Sequence, residues 1–155
     1  MRPHSLFNRI QRGSAAVEFA LLLPIFLAVL TVPLLTARCL WHYTAAQKAA
    51  YDAARYLSGI SVQEMREPAL AIAAADIAQR IVQTEIESLQ PGGMYGIEVV
   101  VSCGGDPCRG VRNNALPDTV TVAVSMNMYD QIFGIDTGRY GVPIEARYEM
   151  RYVGR

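Results

Sequence analysis

The feature that most constrains this chain is a run of uncharged, mostly apolar residues near its N-terminus. No charged side chain occurs from Phe19 to Ala37. At 1.5 Å per residue, a helix of this length spans about 28 Å, which matches the hydrocarbon core of a bilayer. A helix in a small soluble domain is rarely apolar on every face. We therefore expect a membrane-spanning helix over Phe19 to Ala37, in which Pro24 and Pro33 are tolerated and bend the helix.

Charge on either side of this run indicates its orientation. Arg2, Arg9 and Arg12 precede Gly13 with no acidic residue among them, whereas Arg38 alone follows closely. Basic flanks stay in the cytoplasm, so the C-terminal part is expected to be exported. A cleavable secretory signal is the alternative, but the run is long enough to span and no small-residue cleavage site follows it. The formal net charge of zero argues against non-specific nucleic-acid binding.

Periodicity beyond the run predicts an α+β domain. Residues 43 to 58 favour a helix that continues the membrane helix, and a second helix is expected from Pro68 to Leu89. Alternation then changes to period two, which predicts antiparallel strands at 96–102, 119–127 and 142–153. The dry face of this sheet of about three strands needs the two helices as a cover. The expected organisation is a leader at 1–13, a long helix at 14–58 and an exported domain at 59–155. The expected helix stripes are Tyr43, Ala46, Ala50, Ala53 and Leu57 in the first helix, and Leu70, Ala73, Ala74, Ile77 and Ile81 in the second.

Three cysteines need an assignment. Cys103 and Cys108 bracket the turn sequence GGDP, and in an exported domain we favour a disulfide between them over free thiols. A metal site is less well supported, because this pair supplies only two ligands with no histidine nearby. Cys39 is interpreted as a small residue at the membrane boundary, with an intermolecular bridge as the alternative.

No catalytic constellation emerges from the sequence. His4 lies before the apolar run and His42 after it, and neither belongs to a pattern of nucleophile and base. The loops GGDPCRG and GIDTG lack the spacing of a phosphate loop or a calcium loop, and turn chemistry explains both. We expect a protein that is not an enzyme and that uses no cofactor and no metal.

Glu18 is a carboxylate at the start of the membrane segment. One interpretation is a residue at the cytoplasmic interface, where its cost is modest. The other begins from the rule that ionisable groups inside a membrane normally have a partner. A cut after Gly13 would create an α-amino group on Ser14, at position i relative to Glu18 at i+4. The partner amine would belong to the same chain or to a neighbour, and such a pair would set the register of assembly.

The segment RGSAAVEFALLLPIFLAVL resembles the start of TadE-like proteins, the pseudopilins of Tad (Flp-type, type IV) pilus systems. The matching residues are Arg12-Gly13, Val17-Glu18-Phe19-Ala20 and Leu23-Pro24. The resemblance implies cleavage between Gly13 and Ser14 by a prepilin peptidase, with Glu18 and Phe19 as the processing and assembly motif. It extends less tightly to about residue 58, roughly a third of the chain.

The resemblance also implies a role and partners. The chain would be a minor pilin or assembly component that acts by helix packing, in the bacterial inner membrane with a periplasmic C-terminal domain, or in the extracellular pilus. Its partners would be the prepilin peptidase, the major Flp pilin, TadF-like pseudopilins and the pilus assembly platform, in a pilus for adhesion, secretion or uptake. Its length favours TadE or TadF over the longer TadG-like proteins. The alternative is an unprocessed, signal-anchored periplasmic module that binds another protein.

Overall fold

The computed structural model describes residues 7–92, 96–111, 115–130 and 132–154, and side chains from Ala15 onward. The basic leader residues Arg2, Arg9 and Arg12 therefore contribute no described side chain. The predicted α+β class is confirmed. The elements in chain order are α1 (Phe7–Ser58), α2 (Val62–Arg66), α3 (Pro68–Glu87), β1 (Glu98–Cys103), β2 (Asp106–Pro107), β3 (Thr119–Met128) and β4 (Val142–Arg151).

Helix α1 runs without a break through both of its prolines, Pro24 and Pro33. It begins at Phe7, before Gly13, so residues 7–13 and the apolar run belong to one helix. At its other end it continues through the alanine-rich segment to Ser58, as the sequence predicts. The chain forms two compact units, Met1–Arg38 and Cys39–Arg155. The alanine-rich end of α1 thus belongs to the same unit as the sheet.

The sheet is antiparallel, with strand order β2-β1-β3-β4. Strand β3 is central: Val122 pairs with Val101 of β1 on one side and with Tyr148 of β4 on the other. The three long strands are those that alternation predicts, and β2 is a two-residue strand that closes a hairpin with β1. Alternation also predicts the dry face correctly, since β3 buries Val120, Val122, Val124, Met126 and Met128.

Both helices cover the dry face, as expected. On the β4 side, the ring of Tyr51 in α1 meets the ring of Tyr148 edge-on, with centroids 5.0 Å apart. On the β1 side, Gln79 Nε2 of α3 donates a hydrogen bond of 3.3 Å to the carbonyl oxygen of Val99. Alanine dominates the helical contribution to the core. The fully buried alanines of α1 are Ala46, Ala49, Ala50, Ala53 and Ala54.

The predicted apolar stripe of α3 is wrong in phase. Leu70 and Ile77 are 47% and 44% exposed, and Ala73 is exposed as well. Ala74 is buried as predicted and Ile81 is half-buried, but the other buried residues lie off the predicted stripe: Ala71, Ala75, Ala78, Val82 and Ile86. Helix α3 carries apolar residues round most of its circumference, so periodicity fits two faces. The alanine face is the buried one because small side chains let the helix approach the sheet closely. The predicted stripe of α1 also includes Tyr43, whose side chain is 43% exposed.

A short capped helix joins α1 to α3. Ser61 is the N-cap of α2: its side chain accepts from the backbone N–H of Glu64 at 3.2 Å, and Glu64 accepts from the backbone N–H of Ser61 at 2.9 Å. This reciprocal pair is a capping box, which the sequence SVQE predicts. Helix α3 then begins at Pro68, where a missing N–H costs nothing.

Candidate membrane anchor and assembly segment

The N-terminal part of α1 presents apolar side chains to its surroundings on every face. Phe19, Leu22 and Phe26 are 66%, 62% and 61% exposed. Within the described part of the chain, Ala15–Ser58 is the one helix long and apolar enough to cross a membrane, with a mean hydropathy of 2.5 in its most apolar window. The assignment as a candidate membrane span follows from the length and composition of the helix. Exposed apolar surface of this extent needs lipid or other helices as a cover.

Hydroxyl groups within this segment bond to the helix itself. Thr31 Oγ1 donates to the carbonyl oxygen of Leu27 at 2.8 Å, and Thr36 Oγ1 donates to that of Val32 at 2.9 Å. Both bonds reach four residues back, and the second spans Pro33. In an apolar medium such intrahelical bonds satisfy polar groups that have no water to bind.

The predicted processing and assembly residues occupy consecutive turns of this helix. Gly13 and Ser14 lie in the helical backbone, and their side-chain surroundings are outside the described part of the chain. Glu18 is exposed one helical turn beyond Ser14. Phe19, next to it, is among the exposed large apolar side chains. The backbone therefore places position 14 and the Glu18 carboxyl on adjacent turns, which is the spacing that an i, i+4 contact requires.

Polar and aromatic side chains follow the apolar segment where α1 enters the second unit. Trp41 is 67% exposed, whereas His42 is only 5% exposed. Cys39 is half-buried and is not part of a disulfide. Tryptophan and tyrosine are the residues enriched where membrane helices meet water.

An ion-pair cluster joins α1 to α3 farther along. Lys48 Nζ lies 2.8 Å from a carboxylate oxygen of Asp52 and 3.2 Å from one of Glu85. Hydrogen bonds to Asp52 and then to Glu85 raise the pKa of Lys48 above its usual value. The ammonium group is exposed, so solvent screens both pairs and their contribution to stability is small.

The C-terminus is tied back to the end of α1 and to α2. The Tyr152 hydroxyl donates to the carbonyl oxygen of Ile60 at 3.0 Å, and the Val153 N–H donates to that of Ser58 at 3.1 Å. Burial, and secondarily the Glu64 carboxylate, raises the pKa of Tyr152. Hydrogen bonds from the backbone and hydroxyl of Ser61 lower the pKa of Glu64. These contacts join residues about ninety positions apart, and no local sequence signal announces them.

Cys103 and Cys108 meet in the β1–β2 hairpin. The structure joins Cys103 and Cys108 in a disulfide, with their Cα atoms 5.0 Å apart. Gly104 and Gly105 have φ values of +61° and +90°, a backbone conformation that glycine adopts without strain. The turn sequence therefore brings the two thiols together. Among the described residues, no group of three histidine, cysteine, aspartate or glutamate side chains is placed to hold a metal ion.

The family comparison identifies the N-terminal segment. Residues 13–55 match the model of the TadE-like protein family. The recognised segment is TadE-like. TadE-like proteins form a family of pilus structure and assembly. Comparison with curated proteins gave no match, and comparison with solved structures gave none. The TadE-like match ends at residue 55, before α2, α3 and the whole sheet.

Proposed function

We propose that this chain is a pseudopilin or minor pilin of a Tad pilus, cut after Gly13 by a prepilin peptidase and assembled through its N-terminal helix. The observation that carries the proposal is the family match from residue 13 to residue 55. The match begins at the residue before the proposed cut. It also covers the exposed apolar part of α1, whose surface needs a cover of lipid or of other pilin helices.

The proposed orientation follows from charge and composition. The three leader arginines hold the N-terminus in the cytoplasm, the segment Phe19 to Ala37 spans the inner membrane, and the α+β unit lies in the periplasm. An oxidising compartment of this kind would also keep Cys103 and Cys108 in a disulfide. The partners that this placement offers are the peptidase, the major Flp pilin, TadF-like pseudopilins and the assembly platform.

Glu18 is assigned a role in assembly. After the cut, Ser14 would begin the chain with a cationic amine one helical turn from the Glu18 carboxylate. In a staggered bundle, the amine of one subunit would equally reach Glu18 of the next. Little water is available in lipid to solvate charged groups. An amine–carboxylate pair there would therefore favour the one axial offset between neighbouring helices that brings the two groups together. Apolar contacts between leucine, valine and phenylalanine side chains alone would permit several axial offsets between the helices.

The test compares substitutions of Glu18 in cells that lack the chromosomal copy. Glu18→Ala and Glu18→Gln remove the charge and are expected to leave membrane insertion at the wild-type level while pilus yield falls at least several-fold. Glu18→Asp keeps a carboxylate and is expected to retain part of the yield. Membrane fractionation and quantification of sheared pili measure the two properties. Wild-type pilus yield from Glu18→Gln would contradict the assigned role, and unchanged piliation on deletion of the whole chain would contradict the proposed function.

A further inference from the structure

Strand β4 forms one edge of the sheet. Its ten residues, Val142–Arg151, pair with β3 on one side. In the described part of the chain, no backbone hydrogen bond outside the sheet involves a residue from Pro143 to Arg151. A strand edge of this length is a template for pairing with a further strand.

Two hydrogen bonds fix which residues of β4 face outward. The Tyr152 N–H donates to the carbonyl oxygen of Asp118 at 2.9 Å, so even-numbered residues of β4 direct their backbone groups toward β3. On the far side of β3, the carbonyl oxygen of Thr119 accepts from the Gly104 N–H at 2.8 Å, so the odd-numbered residues of β3 face β1. Both bonds give the same alternation. The outward-facing residues of β4 are Pro143, Glu145, Arg147, Glu149 and Arg151.

Both ends of this outer edge are closed to pairing. Pro143 has no N–H to donate. Beyond the other end, the N–H of Val153 is already bonded to the carbonyl oxygen of Ser58 at 3.1 Å. The edge available for pairing is therefore the stretch from Glu145 to Arg151, and its centre is Tyr148.

The charged residues on the exposed face of β4 are placed symmetrically about the same centre, with opposite signs at equivalent positions. Glu145, Arg147, Glu149 and Arg151 are all exposed and alternate in sign. Their cross-strand partners on β3 carry no charge: they are, in the same order, Ser125, Ala123, Thr121 and Thr119. The residues of β3 directly opposite therefore offer no complementary charge. A strand paired with the outer edge of β4 would lie opposite all four charged residues.

From these observations we infer that β4 pairs with β4 of a second copy of this chain, antiparallel and with Tyr148 opposite Tyr148. This register places Glu145 opposite Arg151 and Arg147 opposite Glu149, each twice. A shift of two residues in either direction places every charged residue that still meets a charged partner opposite one of its own sign. Opposite charges across a strand pair stabilise it and like charges destabilise it. Charge pattern and edge closure thus select the same register independently.

A second copy fits this edge better than an unrelated strand does. The edge is its own complement under a two-fold axis through Tyr148, which is the property that an isologous interface requires. Charged side chains along an edge disfavour pairing with a strand that offers them no opposite charge, whereas a second copy of β4 offers one at all four positions. Here the single proline, Pro143, lies at the boundary of the edge, and the signs alternate. The inference concerns the exported domain and does not depend on a cut after Gly13.

Cysteine cross-linking tests the register in the full chain, extracted in detergent and carrying Cys39→Ser to remove the free thiol. Residues opposite each other in a hydrogen-bonded antiparallel pair have Cα atoms about 5.5 Å apart, within disulfide range, whereas diagonal neighbours lie about 7–8 Å apart or more. A mixture of Arg147→Cys and Glu149→Cys chains is expected to form a covalent dimer on mild oxidation. Either variant alone is expected to stay monomeric on a non-reducing gel. The matched control is a mixture of Glu145→Cys and Glu149→Cys, which the proposed register keeps apart.

A charge exchange tests the same pairing without cysteines. Arg147→Glu places like charges opposite each other twice and is expected to shift the monomer–dimer equilibrium at least tenfold toward monomer in sedimentation velocity. Adding Glu149→Arg restores opposite charges at both positions and should restore the dimer. Absence of the cross-link in the mixed sample, or a wild-type chain that is monomeric in both measurements, would overturn pairing with a second copy and leave the edge to a strand of another protein. Cross-linking of Arg147→Cys with itself would overturn the register.

Discussion

At the scale of single residues, Gly13 and Glu18 are the positions on which processing and assembly are proposed to depend. Both lie in the uninterrupted helix α1, and the family match includes both. Glycine is the smallest residue and the least costly to pull out of a helix, because it favours helical geometry weakly. Such a residue suits the position before a cut, since a peptidase must bind the chain in an extended form.

Gly13→Ala is therefore expected to leave the chain uncut. The added methyl group stabilises the helix at this position by up to about 1 kcal/mol and crowds the peptidase cleft. Immunoblotting of membrane fractions should show only the longer form. The control is Ala16→Gly, which places the flexible residue beyond the cut and should mature normally. Normal maturation of Gly13→Ala would show that glycine is not required there.

The lowered pKa of Glu64 predicts that the stability of the α+β domain depends on pH. Hydrogen bonds from Ser61 lower the pKa of Glu64 in the folded state, so the unfolded state binds the proton more readily. The stabilisation is complete above the unfolded-state pKa and is lost as the pH falls through the lowered folded-state value. Thermal unfolding of the wild type should lose more stability on acidification than that of Glu64→Gln, which keeps a side chain able to accept from Ser61. Equal acid sensitivity of the two would contradict the capping interaction.

At the scale of elements, the sequence predicts each long helix and strand but not which face of α3 is buried. Period-two alternation in β3 and β4 leaves one choice, because valine, methionine and isoleucine fall on one side only. In α3 the large residues Leu70 and Ile77 compete with an alanine face, and hydrophobic periodicity weights size over fit. The hydrogen bond between Tyr152 and Ile60 was not predictable, because it depends on how the end of the chain folds back onto the turn between α1 and α2.

Two substitutions in α3 test the observed face. Ala78 is fully buried, so Ala78→Leu forces three extra carbons into the core and should cost roughly 1–3 kcal/mol of unfolding free energy. Ala73 is exposed, so Ala73→Leu should change stability by less than about 0.5 kcal/mol. Chemical denaturation of the full chain in detergent, followed by tyrosine fluorescence or circular dichroism, measures both. A larger loss of unfolding free energy from Ala73→Leu than from Ala78→Leu would show that the face predicted by periodicity is the buried one.

The disulfide in the β1–β2 hairpin determines how many thiols can be alkylated before and after reduction. With Cys103 bonded to Cys108 and Cys39 free, the denatured chain should bind one alkylating group before reduction and three after it. The closed loop is short, so the chain-entropy contribution of the disulfide is modest, about 2 kcal/mol. Mass spectrometry of the alkylated protein, extracted from membranes, measures the number of reactive thiols directly. Three reactive thiols before reduction would place the domain in a reducing compartment.

At the scale of the whole molecule, a long apolar helix that the family model matches leads into a domain beyond the match. Residues 13–55 carry the TadE-like match, and the helix was predictable from its long run of residues without charge. The sheet domain follows general rules of alternation and packing, so its architecture was predictable while its edge at β4 was not. Which strand lies at an edge depends on strand order, and strand order is a property of the folded chain.

The central claim is that the functional chain begins at Ser14. Intact-mass measurement of protein extracted from membranes of cells with an active prepilin peptidase tests it most directly, with peptidase-deficient cells as the control. The predicted result is a mass that lacks residues 1–13 in the first sample and retains them in the second. A chain that keeps Met1 to Gly13 in both samples would contradict the processed pseudopilin and support an unprocessed, signal-anchored binding module.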